Sequence, residues 1–162
     1  MQKSLKILLA EDESIILMGL KSNIEKLGHQ VIGQAFDGVE AVKLALEKEP
    51  DLIIIDINMP KMDGIEAIKR INNEKFIPAI IVTGYNDEKL INRASKAGAF
   101  AYLIKPVDRN DIKPAINIAS ARFEEFKKLL SELDDSKKAL EARKIIERAK
   151  GIVMDRKDIK EK

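Results

Sequence analysis

Residues 51–60 read DLIIIDINMP. Four apolar side chains, Leu52 to Ile55, run into a carboxylate, Asp56, and the segment closes at Pro60. A continuous apolar run of this length suits a strand buried on both faces, and such strands belong to parallel sheets covered by helices on either side. A carboxylate at the end of a buried strand is either a cap on the loop that follows or part of a site, because burying an unpaired charge is expensive. The rest of the chain decides between the two.

Working outward, the first 120 residues alternate two periods. Short apolar runs at 5–10 (LKILLA), 31–35 (VIGQA), 52–55 (LIII), 79–83 (AIIVT) and 99–104 (AFAYLI) are separated by segments with helical spacing. Leu17, Leu20, Ile24 and Leu27 form one stripe, stopped by Gly28; Val39, Val42 and Leu46 form a second, after the candidate cap Asp37. Ile65, Ile68 and Ile71 mark a third helix, and Leu90, Ile91, Ala94 and Ala97 a fourth, closed by Gly98. Repeated βα units of this kind predict an α/β fold with a five-stranded, parallel, doubly wound sheet, for which the strand order 2-1-3-4-5 of flavodoxin-like sheets is taken as the expectation. A long helical extension follows.

Composition narrows the chemistry. The chain of 162 residues has no cysteine and a single histidine, so thiolate metal sites, disulfides and histidine clusters are excluded and any metal must rest on oxygen ligands. His29, beside Gly28, reads as a solvated loop residue with no role. No apolar run approaches the roughly 18 residues of a membrane span, and the first residues lack the pattern of a signal peptide. A cytoplasmic protein with no membrane partner is expected. The net charge of +2 hides an uneven distribution, since residues 137–162 hold 10 Lys+Arg against 5 Asp+Glu.

In open α/β sheets ligands bind beyond the carboxyl ends of the strands, where strand order reverses. Asp56 occupies such an end. Glu11 and Asp12 follow the first strand, Thr83 ends the fourth and Lys105 follows the fifth. With strands one and three adjacent, Glu11, Asp12 and Asp56 converge, and three neighbouring carboxylates call for a cation. Oxygen ligands alone favour magnesium or a similar ion. A lysine and a hydroxyl on the same rim suit an arriving phosphoryl oxyanion, with Asp56 as candidate nucleophile.

Together LLAEDE, IIIDINMPKMDG, IIVTG and AYLIKP resemble the signature segments of the receiver domain of two-component response regulators, in order and spacing, over about residues 4–120. The resemblance implies that Asp56 accepts a phosphoryl group from a sensor histidine kinase. It implies Mg2+ held directly by Asp12 and Asp56, through water by Glu11, and by the backbone carbonyl of Asn58. Thr83 and Lys105 would contact the phosphoryl oxygens, Tyr102 would be an aromatic switch turning inward with Thr83, and the Lys105–Pro106 bond would be cis. A haloacid-dehalogenase-type phosphatase is the enzyme rival. It carries a second aspartate two residues beyond the nucleophile; this chain has Asn58, whose amide cannot act as a general acid. A signalling phosphoacceptor, with no turnover of outside substrates, is the expectation.

Beyond residue 110, Ile112, Ile116, Ala119, Phe123, Phe126, Leu130, Leu133 and Leu140 step by heptads, with Pro114 expected in the first turn of the helix. The early part is expected on the receiver's sheet, and Phe123, Phe126, Leu130 and Leu133 as the seam of a coiled-coil homodimer. RKIIERAKGIVM in the basic tail is similar to the start of the ANTAR domain, the RNA-binding module of antitermination response regulators, whose further helices would follow where this sequence ends. The organisation expected is therefore a receiver at 1–120, a coiled-coil linker at 121–141 and an incomplete ANTAR-like segment at 142–162. Arg143, Lys144, Arg148 and Lys150 are candidate RNA-phosphate contacts or a solvated helix face. Two outputs follow: RNA-binding control of transcription antitermination, or phosphorylation-dependent protein contact alone.

Overall fold

The computed structural model describes residues 3–84 and 88–136. By its internal contacts the chain divides into one unit, Met1–Phe123, and a second, Glu124–Lys162. The elements run β1 (Lys6–Ala10), α1 (Ser14–Lys26), β2 (Gln30–Ala35), α2 (Gly38–Lys48), β3 (Leu52–Asp56), α3 (Gly64–Asn72), β4 (Ala79–Thr83), α4 (Glu88–Ala97), β5 (Ala99–Ile104) and α5 (Arg109–Ser136). The sheet is five-stranded, in the order β2-β1-β3-β4-β5, with every pairing parallel.

Alternation along the buried strands feeds two cores. Leu8, Ile53, Ile55 and Ile81 join Ile65, Ile68 and Ile71 of α3 on one face. Ile7, Leu9, Ile54, Ile80 and Val82 join Leu17, Leu20 and Ile24 of α1 and Ile112, Ala115, Ile116 and Ala119 of α5 on the other. β3 and β4 are buried along their whole length, as the uninterrupted apolar runs require.

The helix starts and stops follow local chemistry. The Asp37 carboxylate accepts the Glu40 amide at 2.8 Å, and the Glu40 side chain reaches back to the Phe36 amide at 2.9 Å, so two orphan donors at the start of α2 are satisfied. That amide bond, first, and Lys61 nearby hold the Asp37 carboxyl below its usual range. At α3 the Asp63 carboxylate accepts the Glu66 amide at 2.8 Å. Gly28 and Gly98 sit at positive φ, +97° and +117°, where α1 and α4 stop.

Three sequence expectations shift. On α2 the buried face is Gly38, Ala41 and Ala45, whereas Val39 is 49% exposed; the helix packs through small residues that bring it close to the sheet. α5 begins at Arg109, so Pro114 lies inside the helix instead of in its first turn. His29 is not a solvated loop residue. It is buried, and its Nδ1 accepts the Leu5 amide at 3.1 Å, tying the turn after α1 to the approach to β1.

At the far end of the receiver, Phe76, Phe100 and Phe123 form an aromatic cluster with ring centroids 5.1–6.2 Å apart. Arg122 donates to the Phe100 carbonyl at 3.1 Å. Phe123, expected in the seam, thus packs within the receiver unit. Phe126, Leu130 and Leu133, on the later part of α5, are 42%, 47% and 54% exposed. Leu140, Arg143, Lys144, Arg148 and Lys150 lie outside the described residues. Among the described residues no helix is long and apolar enough to cross a membrane.

Burial lowers the His29 pKa, and protonating Nδ1 would also remove the acceptor for Leu5. The folded state therefore resists a proton that the unfolded chain takes up near pH ~6.5, so this contribution is complete above that value and lost as pH falls through it towards the folded pKa. His29→Asn keeps an acceptor and removes the titration. Urea midpoints at about pH 7.5 and about pH 5.5 should fall further on acidification in the parent than in the variant.

Candidate functional site

Register brings the acids together. Ala10 of β1 pairs with Ile55 of β3, so Glu11 and Asp12, next in the chain, emerge beside Asp56. Ligand oxygens of Glu11, Asp12 and Asp56 lie within 4.8 Å of one another. Asp56 and Glu11 are buried and Asp12 is exposed. The open cleft, about 420 Å³, is lined by Asp12, Glu13, Asp56, Asn58, Gly84 and Lys105. Thr83, fully buried at the end of β4, adjoins it, and its carbonyl accepts the Lys105 amide at 2.8 Å. The Lys105–Pro106 bond is cis.

Lys105 balances the acids. Its ammonium donates to Asp56 Oδ2 at 3.1 Å and stands 3.2 Å from Glu11 Oε1. The second contact lacks hydrogen-bond alignment, which leaves Glu11 Oε1 buried without a donor. Glu11 Oε2 is committed to the Glu13 amide at 3.0 Å. Burial pushes the Asp56 carboxyl up, with the Asp12 charge adding to it and Lys105 opposing it. Burial likewise raises Glu11, and the Asp56 charge adds to that. For Lys105 burial works against the ammonium, but Asp56 and Glu11 outweigh it and hold the pKa above its ordinary value. One cation thus faces more negative charge than it neutralises. An all-oxygen donor set with an orphaned buried carboxylate oxygen fits a hard divalent cation such as magnesium.

Asp12 and Glu11 do not cap α1. The cap position belongs to Glu13, whose side chain makes no capping hydrogen bond. Tyr102, on edge strand β5, is 45% exposed while Thr83 is fully buried. Two residues escaped the sequence reading. Glu13 Oε1 is 4.0 Å from Lys105 Nζ, and the run of three acids at 11–13 was the signal. Gly64 packs under the phosphoacceptor candidate, and the DG pair at 63–64 was its mark.

The fold and these residues together define a receiver of the response regulator class. The family model described as the response regulator receiver domain matches residues 7–117, and the chain belongs to that family. The ANTAR domain model matches residues 134–162, starting within the stretch assigned from sequence to the linker. The chain is 42% identical over 148 residues to the transcriptional regulatory protein PdtaR of Mycobacterium tuberculosis, covering 91% of this chain and 72% of that protein. It is 34% identical to the chemotaxis protein CheY of Thermotoga maritima, over 71% of this chain and 97% of that one. Among solved structures, a receiver domain protein from Clostridium thermocellum superposes with TM-score 0.67 at 38% identity, over 77% of this chain and 98% of that chain. The CheX-CheY-BeF3-Mg2+ complex from Borrelia burgdorferi gives TM-score 0.66 at 28% identity, over 68% and 85%. This protein is a response regulator whose receiver is followed by a segment that matches the ANTAR domain.

A Cβ on Gly64 would lie 2.3 Å from the Asp56 carbonyl oxygen, whereas one on Gly19 would meet nothing within 4 Å. Gly64→Ala should destabilise the protein by about 1–3 kcal/mol. Gly19→Ala, in the interior of α1, should instead stabilise it by roughly 0.5–1 kcal/mol. Urea unfolding of the two variants checks both signs.

Proposed function

We propose that Asp56 accepts a phosphoryl group from the phosphohistidine of a sensor histidine kinase, and that the receiver thereby controls transcription antitermination through RNA. The observation that carries this reading is the Lys105–Asp56 bond inside the carboxylate cluster at the switch of strand order. An Asp56 oxygen attacks phosphorus as the P–N bond to the donor imidazole breaks. Lys105 passes its contact from the carboxylate to the phosphoryl oxygens, and Thr83 donates one hydrogen bond to them. Asp12 and Asp56 directly, Glu11 through water and the Asn58 carbonyl would hold Mg2+, which supplies charge neutralisation. The BeF3 and Mg2+ in the name of the Borrelia CheY complex support that assignment.

Asn58 stands in the cleft and offers no proton, so the reading is a protein that holds the phosphoryl group and releases it slowly, not a phosphatase. Tyr102 would turn inward as Thr83 moves towards the phosphoryl group. Output would run along α5, with Phe126, Leu130 and Leu133 as the apolar seam of a homodimer and Phe123 anchored at its base. Arg143, Lys144, Arg148 and Lys150 would meet RNA phosphates. The reading places the protein in the cytoplasm, with the kinase's phosphodonor and the RNA. The alternative output, protein contact without RNA, separates from this one by RNA-binding measurements on the phosphorylated chain.

With magnesium and a small phosphodonor, mass mapping should find the added phosphoryl group on Asp56, and Asp56→Asn should carry none. Asp12→Ala should lose both divalent-metal binding by calorimetry and labelling; undiminished metal affinity in that variant would show that the ion sits elsewhere.

Full burial of a Phe or Leu side chain contributes about 1.5–3 kcal/mol. Phe126→Glu with Leu130→Glu should therefore convert a dimer to monomer in sedimentation while the receiver keeps its unfolding midpoint. Wild type that sediments as a monomer, phosphorylated or not, would reject the seam.

A further inference from the structure

Glu13 holds the cap position of α1 yet makes no side-chain capping hydrogen bond. Its carboxylate lies instead 4.0 Å from the Lys105 ammonium and lines the same cleft as Asp56. It differs from Glu11 and Asp56 in being an acid at the rim, 65% exposed against 0% and 4%. Nor does it belong to the carboxylate cluster placed to hold a cation. A shorter Asp or Ser would have capped the helix; the longer glutamate reaches across to the lysine.

Lys105 is the positive group that an incoming phosphoryl oxyanion must meet, and Glu13 sits beside it on the solvent side. Its charge offsets part of the ammonium's attraction and repels a donor in proportion to the donor's own negative charge. We propose that Glu13 is a specificity-determining residue that biases Asp56 towards N–P donors, whose leaving group carries a positive charge, and against dianionic acyl phosphates. The proposal rests on the phosphoacceptor reading of Asp56. In both reactions an Asp56 oxygen forms the new O–P bond. With phosphoramidate the P–N bond breaks and ammonia departs with the protons it already carries; with acetyl phosphate the P–O bond breaks and acetate leaves with the electron pair. Glu13 takes no part in either bond change. It acts through Lys105 and through the potential at the mouth.

The test compares initial rates of Asp56 labelling by acetyl phosphate and by phosphoramidate, at saturating magnesium, in wild type, Glu13→Gln and Glu13→Lys. Exposed ion pairs are worth up to about 1 kcal/mol. Glu13→Gln should therefore raise the acetyl phosphate rate roughly two- to fivefold, with a smaller rise for phosphoramidate, and Glu13→Lys should extend the trend. The gap between donors should shrink in about 1 M salt, where the screening length falls to about 3 Å. A purely structural role would move both donors equally and would not respond to salt in this way. Equal rate changes for the two donors, or no change, would overturn the inference while leaving Asp56 as the acceptor. Wild type that takes no label from either donor would overturn the acceptor reading, and this inference with it.

Discussion

One ammonium among three carboxylates sets the terms for this site. Lys105 contacts Asp56 at 3.1 Å, Glu11 at 3.2 Å and Glu13 at 4.0 Å, and two of those acids are buried. Burial alone would drive both acids towards their neutral forms, and a neutral carboxyl is a poor nucleophile and a poor metal ligand. Lys105 counters that tendency for Asp56 and Glu11 at once. It cannot complete the task, since it faces more negative charge than its own. The remaining imbalance is what a divalent cation would neutralise and, on the proposed reading, what an arriving phosphoryl group would rearrange.

The arrangement exists only because of the sheet order. Asp56 and the Glu11–Asp12 pair lie 44 or more residues apart in the chain and meet because β1 and β3 pair in parallel register. β5 lies two strands away from β3, with β4 between them. Lys105 bridges that distance with its long side chain, and its backbone is fixed by the bond to the Thr83 carbonyl. Gly64 completes the support, because its lack of a side chain lets α3 begin directly against the Asp56 backbone. The Asp56 main chain is therefore held by packing and register on both sides.

Strand positions, helix starts and the residues at the strand ends were legible in the sequence because each rests on a strong local signal: uninterrupted apolar runs, caps such as Asp37 and polar residues placed just past the runs. What was not legible depends on distance between elements. Val39 outranks Ala41 and Ala45 in hydropathy, yet the alanines face the core, since close approach of α2 to the sheet admits only small side chains. His29 follows a glycine and looked solvated; its burial arises from the Leu5 amide, 24 residues away. Glu13 carried no signal beyond its place in a run of acids, and only the fold shows that its carboxylate lies by Lys105 instead of capping α1. Phe123 continues the heptad stripe in sequence, but Phe76, from the connection before β4, and Phe100, on β5, claim it within the receiver.

The stripe on α5 shows how far apolar area can carry the proposed output. Ile112, Ile116 and Ala119 pack in the receiver core, whereas Phe126, Leu130 and Leu133 remain between 42% and 54% exposed. Covering half-exposed side chains yields about half of the 1.5–3 kcal/mol for full burial, so three of them in each of two copies offer on the order of 5–9 kcal/mol. Association costs an estimated 4–15 kcal/mol in lost freedom before side-chain ordering is counted. The two ranges overlap, which puts a dimer made by this stretch alone near balance. An interface near balance can be tipped by a bias of a few kcal/mol, the size of effect that a phosphoryl group at Asp56 has to deliver. A longer or more hydrophobic seam would hold the pair together in both states and leave phosphorylation nothing to decide.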